Sequence, residues 1–189
     1  MARPKSDIKR KAILDAAVEL FAERGIAHAP TSAISSRAGV AEGTLFTYFK
    51  TKDELLNELY REMRKEIDQE MADFPFSADV RARLRFVWDR FLDLAERHPK
   101  QLKVQQQLRS SGRLLKDAEA PNMVITELLR ASREGAKVGG LHEASPEYLV
   151  LMFRAQAEAT AEFIAAHEEM RSESRELGFK LVWRALIGQ

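Results

Sequence analysis

Apolar residues recur along this chain three and four positions apart, the spacing of a helix face, and clean alternation of the strand kind is missing. Ile13, Ala17, Leu20 and Phe21 share one side of a helix expected over residues 6–24, and Gly25 ends it. Two short helices follow, at 32–38 and 42–48, on either side of Gly39-Val40. Thr51 and Glu54 form a capping box that opens a fourth helix bearing Leu55, Leu56, Leu59, Met63 and Ile67. Phe74-Pro75-Phe76 stops it, and Ser77 is placed to cap a fifth helix over 78–98, with Leu84, Val87, Trp88, Phe91, Leu92 and Leu94. His98-Pro99 marks the next bend, because the residue before proline disfavours helix. Further helices are expected at 100–110, 117–137, 146–168 and 172–187. Gly139-Gly140 stops the second of these, and Ser145-Pro146 starts the third. The expected fold class is all-α, about nine helices: a three-helix head with a helix-turn-helix, then a larger helical body. The division falls between 1–50 and 51–189, with the fourth helix joining the parts.

Composition narrows the chemistry. The 189 residues include no cysteine, so disulfides, thiolate nucleophiles and Cys-ligated metal sites are excluded. No apolar run approaches the roughly 20 residues of a membrane span. The N-terminus lacks the apolar stretch of a signal peptide, so a cytoplasmic location is expected. Lys plus Arg number 30 against 29 Asp plus Glu, yet the charge is uneven. Arg3, Lys5, Lys9, Arg10 and Lys11 crowd the first turns against Asp7 alone, a basic arm suited to phosphates. His28, His98, His142 and His167 are scattered. His167-Glu168-Glu169-Met170-Arg171 lacks the second histidine of a zinc-protease helix. There is no phosphate-binding glycine loop and no nucleophile elbow, and Ser110-Ser111-Gly112 reads as a helix end. An enzyme is not expected, nor catalytic residues, a metal or a cofactor.

The alternating charges of the fourth helix, from Arg61 to Asp68, read as a solvated face. Residues 31–50 carry more. Ile34 and Ala38 point inward from one short helix, Gly39 permits a sharp turn, Val40 plugs the corner, and Leu45 and Phe49 bury the next helix. That leaves Glu42, Gly43, Thr44, Thr47 and Tyr48 on an outward face, followed by Lys50 and Lys52. A helix so presented fits the major groove of B-DNA, where base edges are distinguishable. The plain alternative is an αα corner inside a core, and at the level of the whole chain a helical protein-interaction module with no DNA role.

Residues 8–56 resemble the N-terminal domain of the TetR family of transcriptional regulators. The likeness lies in Ile13 to Ala17, Leu20 to Gly25, Ala38-Gly39-Val40, Gly43 to Lys50 and Lys52 to Leu56. It implies that Thr31, Tyr48 and Lys52 meet phosphates, with Arg37 and Lys50 adding backbone contacts, while Glu42, Thr44 and Thr47 reach base edges and Gly43 allows close approach. Phosphate contacts fix register and base contacts specify sequence. Three positions depart from the family pattern: Phe46 for a common tyrosine, Ala41 for a capping Ser or Thr, and Ser35 for a small apolar residue.

The resemblance also implies a homodimer through the last two helices, a palindromic double-stranded operator, and repression relieved by a small molecule. Leu149, Met152, Phe153, Ala157, Thr160, Ala161 and Ile164 on one of those helices suit such an interface, as do Leu177, Leu181, Val182, Ala185 and Leu186 on the other. Some of these must complete the monomer core. Tyr60, Met63, Trp88, Phe91, Leu92, Phe153 and Gln156 are candidate ligand-lining residues. The first six residues, Ala41 to Phe46, Leu177 to Phe179 and Trp183 to Leu186 are similar to repressors of this family that sense drugs and bile-type amphiphiles. In those, Trp88 and Phe153 would match aromatic positions that stack flat ligands. Arg154 would favour an anionic or polar ligand.

Overall fold

A computed structural model of the chain describes residues 5–115, 126, 130 and 145–187. Among the described residues there are eight α-helices and no strand. They are α1 (Lys5–Arg24), α2 (Thr31–Arg37), α3 (Glu42–Tyr48), α4 (Lys52–Glu70), α5 (Val80–Arg97), α6 (Pro99–Ser110), α7 (Pro146–Ala166) and α8 (Arg171–Ile187). A short 3-10 turn, Glu168–Met170, separates the last two. The helix expected at 117–137, with its Gly139-Gly140 stop, lies outside the described residues apart from two isolated helical positions, and so does the Leu186 side chain.

Local rules account for most of the ends. Gly25, Gly39 and Gly112 all take positive φ, where an L side chain is strained. Ser145 caps α7 by accepting from the Tyr148 amide at 3.2 Å. The capping box of α4 forms in a shifted version. Thr51 Oγ1 accepts from the Glu54 amide at 3.1 Å, but the Glu54 carboxylate reaches one residue further back, to the Lys50 amide at 2.6 Å. Two expectations are corrected. α4 ends at Glu70, ahead of Phe74-Pro75-Phe76, and the cap of α5 is Asp79, which accepts from the Ala82 amide at 2.8 Å. Ser77 stands too early because Phe74 folds inward, its ring edge-on to Phe76 at 4.9 Å and to Phe86 at 5.6 Å, and this delays the start of α5.

The described residues group into two compact units, drawn from Met1–Lys65 with His98–Ala120 and from Glu66–Arg97 with Pro121–Gln189. The first holds α1, α2, α3, the greater part of α4, and α6. Ile13, Ala17 and Phe21 of α1, Ile34 of α2, Leu45 of α3, Phe49, and Leu55 and Leu56 of α4 close one apolar core with Val104 and Leu108 of α6. The inward faces read from the periodicity are these faces. α6 packs on α1 and completes the core that the first three helices leave open. Asn57, buried on α4, ties the segment after α6: its Nδ2 donates to the Arg113 carbonyl at 3.1 Å and its Oδ1 accepts from the Leu115 amide at 2.7 Å.

The second unit is built around Trp88 of α5, fully buried against α7 and α8. Phe153 meets the indole edge-on at 5.9 Å and Phe179 tilts against it at 6.3 Å. The indole Nε1 donates to the Arg175 carbonyl at 3.0 Å, so its one polar group is satisfied. α8 can come this close only because residue 178 is glycine: a Cβ there would lie 2.6 Å from the Trp88 ring and 2.7 Å from Thr160 Oγ1. Arg175 then binds α5 from its flank, with Asp93 at 2.7 Å, Glu96 at 3.1 Å and the Asp89 carbonyl at 3.1 Å. Burial opposes its charge, but these acidic partners hold the guanidinium above its usual value.

Candidate nucleic-acid interface

α2 and α3 are each seven residues long, too short to stand alone, and both are held by the core beneath them. Ile34 and Leu45 are fully buried; half-buried Val40 packs at the corner between the helices. Ser35, the departure from a small apolar residue, is buried without loss, since its Oγ donates to the Ser32 carbonyl at 3.0 Å. Ala41 begins α3 with no side-chain hydrogen bond, as an alanine must. Anchored on its inner side, α3 turns Glu42, Gly43, Phe46 and Thr47 to solvent, with Thr44 and Tyr48 half-buried beside them.

Several polar groups of this surface have internal partners. Thr31 Oγ1 donates to Glu42 Oε1 at 3.0 Å and joins the starts of α2 and α3. Thr47 Oγ1 donates to the Gly43 carbonyl at 2.9 Å, one turn back in its own helix. Arg37 pairs with Glu23 at 2.5 Å, and that hydrogen bond holds the Glu23 carboxyl below its usual value. These are exposed pairs, which water and salt screen heavily, so each can be exchanged for a phosphate at little cost. Lys50 is exposed, and nothing near Gly43 would obstruct a close approach.

Lys52 differs from the others. Its Nζ donates to the Ile26 carbonyl at 2.6 Å and the Ala29 carbonyl at 2.7 Å, and it lies 5.8 Å from the centroid of the Phe21 ring. Burial, and then Arg113, hold its pKa below the usual lysine value. Half-buried, its side chain turns toward the stretch between α1 and α2. The basic arm is also partly occupied. Arg10 binds Glu58 at 2.8 Å and Glu62 at 3.1 Å, and Lys11 binds Asp15, while Lys9 is exposed. Sequence reasoning missed Phe46 as a surface group: treated only as a lost tyrosine, it is a large apolar side chain on the outward face of α3.

The ligand-lining candidates fall into two sets. Tyr60 and Met63 are buried in the apolar core of the first unit. Trp88, Leu92 and Phe153 are buried in the second, with Phe91 and Gln156 half-buried there. Trp88 and Phe153 are brought together; they touch each other directly. Among the described residues no cluster of three or more His, Cys, Asp or Glu side chains could hold a metal, and no helix is long and apolar enough to cross a membrane.

Residues 13–59 match the family described as bacterial regulatory proteins, tetR family. Over this stretch, about a quarter of the chain, the head is similar to the N-terminal domain of that family. The match runs from the middle of α1 into α4 and therefore includes α2, the turn and the outward face of α3. Over 102 residues the chain is 37% identical to the fatty acid metabolism regulator protein of Bacillus subtilis, an alignment covering 53% of each protein. The chain thus spans about half the length of that curated relative. The whole fold is TetR-like too. A crystal structure of a candidate tetR family transcription regulator from Shewanella sp. PV-4 superposes with a TM-score of 0.83 at 26% identity, covering 94% of this chain and 97% of that one. FadR from Bacillus subtilis, in complex with stearoyl-CoA, superposes with a TM-score of 0.68 at 22% identity over 95% and 98%, a likeness of fold.

Proposed function

We propose that this chain is a sequence-specific DNA-binding transcription regulator. In this reading it is a homodimeric repressor on a palindromic operator, released by an amphiphilic or aromatic small molecule. Residues 1–50 bind DNA, residues 51–189 bind the ligand and form the dimer, and the protein works in the cytoplasm. One observation carries the proposal: α3, held from below by Leu45 and Phe49, presents a face of small, polar and aromatic side chains with no core to cover it. On that face Glu42, Thr44 and Thr47 read base edges, and Gly43 lets the backbone approach. A glutamate suits the amino group of cytosine, and Phe46 adds an apolar contact for a thymine methyl. Thr31, Arg37, Tyr48 and Lys50 meet phosphates.

Leu151, Met152 and Phe163 of α7 and Leu177 and Leu181 of α8 are exposed apolar side chains on the two helices expected to pair. They support the homodimer, because a monomer would leave this patch in water. A two-fold dimer would set its reading helices about 34–36 Å apart, one turn of B-DNA. The ligand class rests on the relatives. One bears the name of a fatty acid metabolism regulator and another is seen with stearoyl-CoA, an amphiphile. The narrower likeness to RamR-like sensors of drugs and bile amphiphiles points to the same kind of molecule. Trp88 is packed on several sides, so a ligand stacking there must displace the Phe153 or Phe179 ring. Such a ligand shifts the equilibrium between binding and released forms only by its differential affinity for the two.

A gel shift with the DNA upstream of the chain's own coding sequence, repeated across salt concentrations, tests the proposal. Binding that weakens steeply and log-linearly with salt is the expected result. Absence of any DNA complex, or binding indifferent to salt, would favour the protein-interaction alternative.

A further inference from the structure

The turn between α1 and α2 lacks a helical ladder to satisfy its backbone. Gly25 closes α1 at φ +81°, and Ile26 and Ala29 are buried in the stretch that leads to Pro30 and Thr31. Buried backbone groups need partners. Two side chains from distant elements supply them. Lys52 of α4 donates to the Ile26 and Ala29 carbonyls. Gln107 of α6 accepts from the Ile26 amide at 3.1 Å through Oε1 and donates to the Phe21 carbonyl at 3.3 Å through Nε2. A lysine ammonium has three donors, and two of these are spent inside the fold. This turn delivers the chain into α2, and α2 carries α3.

We infer that Lys52 and Gln107 are positioning residues for the DNA-reading helices: they clamp the turn before α2 from α4 and α6, and Lys52 acts on that turn from within instead of on a phosphate. The inference rests on the proposed DNA-binding role of α3 and deepens it, because α6 becomes part of the reading apparatus.

Three variants of the full chain test it: Lys52→Met, Gln107→Leu and, for comparison, the exposed Lys50→Met. Two quantities are measured. One is amide exchange over residues 25–34 without DNA. The other is affinity, across salt concentrations, for a duplex of the DNA upstream of the chain's own coding sequence. Lys52→Met and Gln107→Leu are expected to raise exchange in this stretch about tenfold, with amides of α5 and α8 unchanged. Affinity should fall about tenfold with the salt slope preserved. Lys50→Met should do the opposite, lowering the slope by about 0.9 with exchange unaltered. The clamp is overturned if Lys52→Met lowers the slope and leaves exchange alone, or if neither clamp variant loosens the turn. Should Lys52→Met not fold, Gln107→Leu gives the same readout. If the unsubstituted chain binds no DNA while both clamp variants loosen the turn, the clamp stands and the regulator reading fails.

Discussion

Gly178 is the residue on which the second unit turns. A methyl group at this position meets the six-membered ring of Trp88 and the Thr160 hydroxyl at distances no Cβ tolerates, and none of these neighbours is the loose end of a long chain. Gly178→Ala is therefore expected to cost about 1–3 kcal/mol by overpacking, read as a lowered midpoint in urea. An unchanged midpoint would mean that α8 does not lie as close to Trp88 as described. Single residues were also where the sequence was least legible. Nothing local reveals that two carbonyls, from residues 26 and 29, face Lys52. Phe46 looked like a missing hydroxyl, because its outward direction depends on how Leu45 and Phe49 are buried.

At the scale of elements the chain was far easier to read. α1, α2, α3 and α6 lie within a residue of their expected ends, since glycine turns, prolines and helical periodicity act over a few positions. The exception is instructive. Both Ser77 and Asp79 can accept from a helix amide, and it is Asp79, beyond the buried Phe74, that stands at the start of α5. Asp79→Ala should destabilise by about 1 kcal/mol, whereas Ser77→Ala should be silent within error in the same thermal melts. The reverse ranking would restore the earlier start. The allegiance of α6 was not legible at all. Its partners, Phe21 and Ile26, lie some eighty positions away, and a periodicity shows that a face is buried without showing against what.

For the whole molecule, two outcomes follow from where the apolar surface lies. Substituting both Leu177→Glu and Leu181→Glu places charge on the exposed stripe of α8 and should turn the proposed dimer into a monomer by sedimentation velocity, with helicity retained. A dimer that survives would move the interface elsewhere. A fragment ending at residue 50 loses Leu55, Leu56, Leu59, Val104 and Leu108 from the core around Phe21. It should show little helix by circular dichroism, although it contains every residue proposed to touch DNA. That same reliance on α6 has a temporal side. During synthesis α2 and α3 leave the ribosome early, yet the helix that finishes their core is made only after the whole of α5. The nascent head must therefore wait, half-built and apolar, for residues 104 and 108 before it can close, and a ribosome pausing within α5 would hold it open.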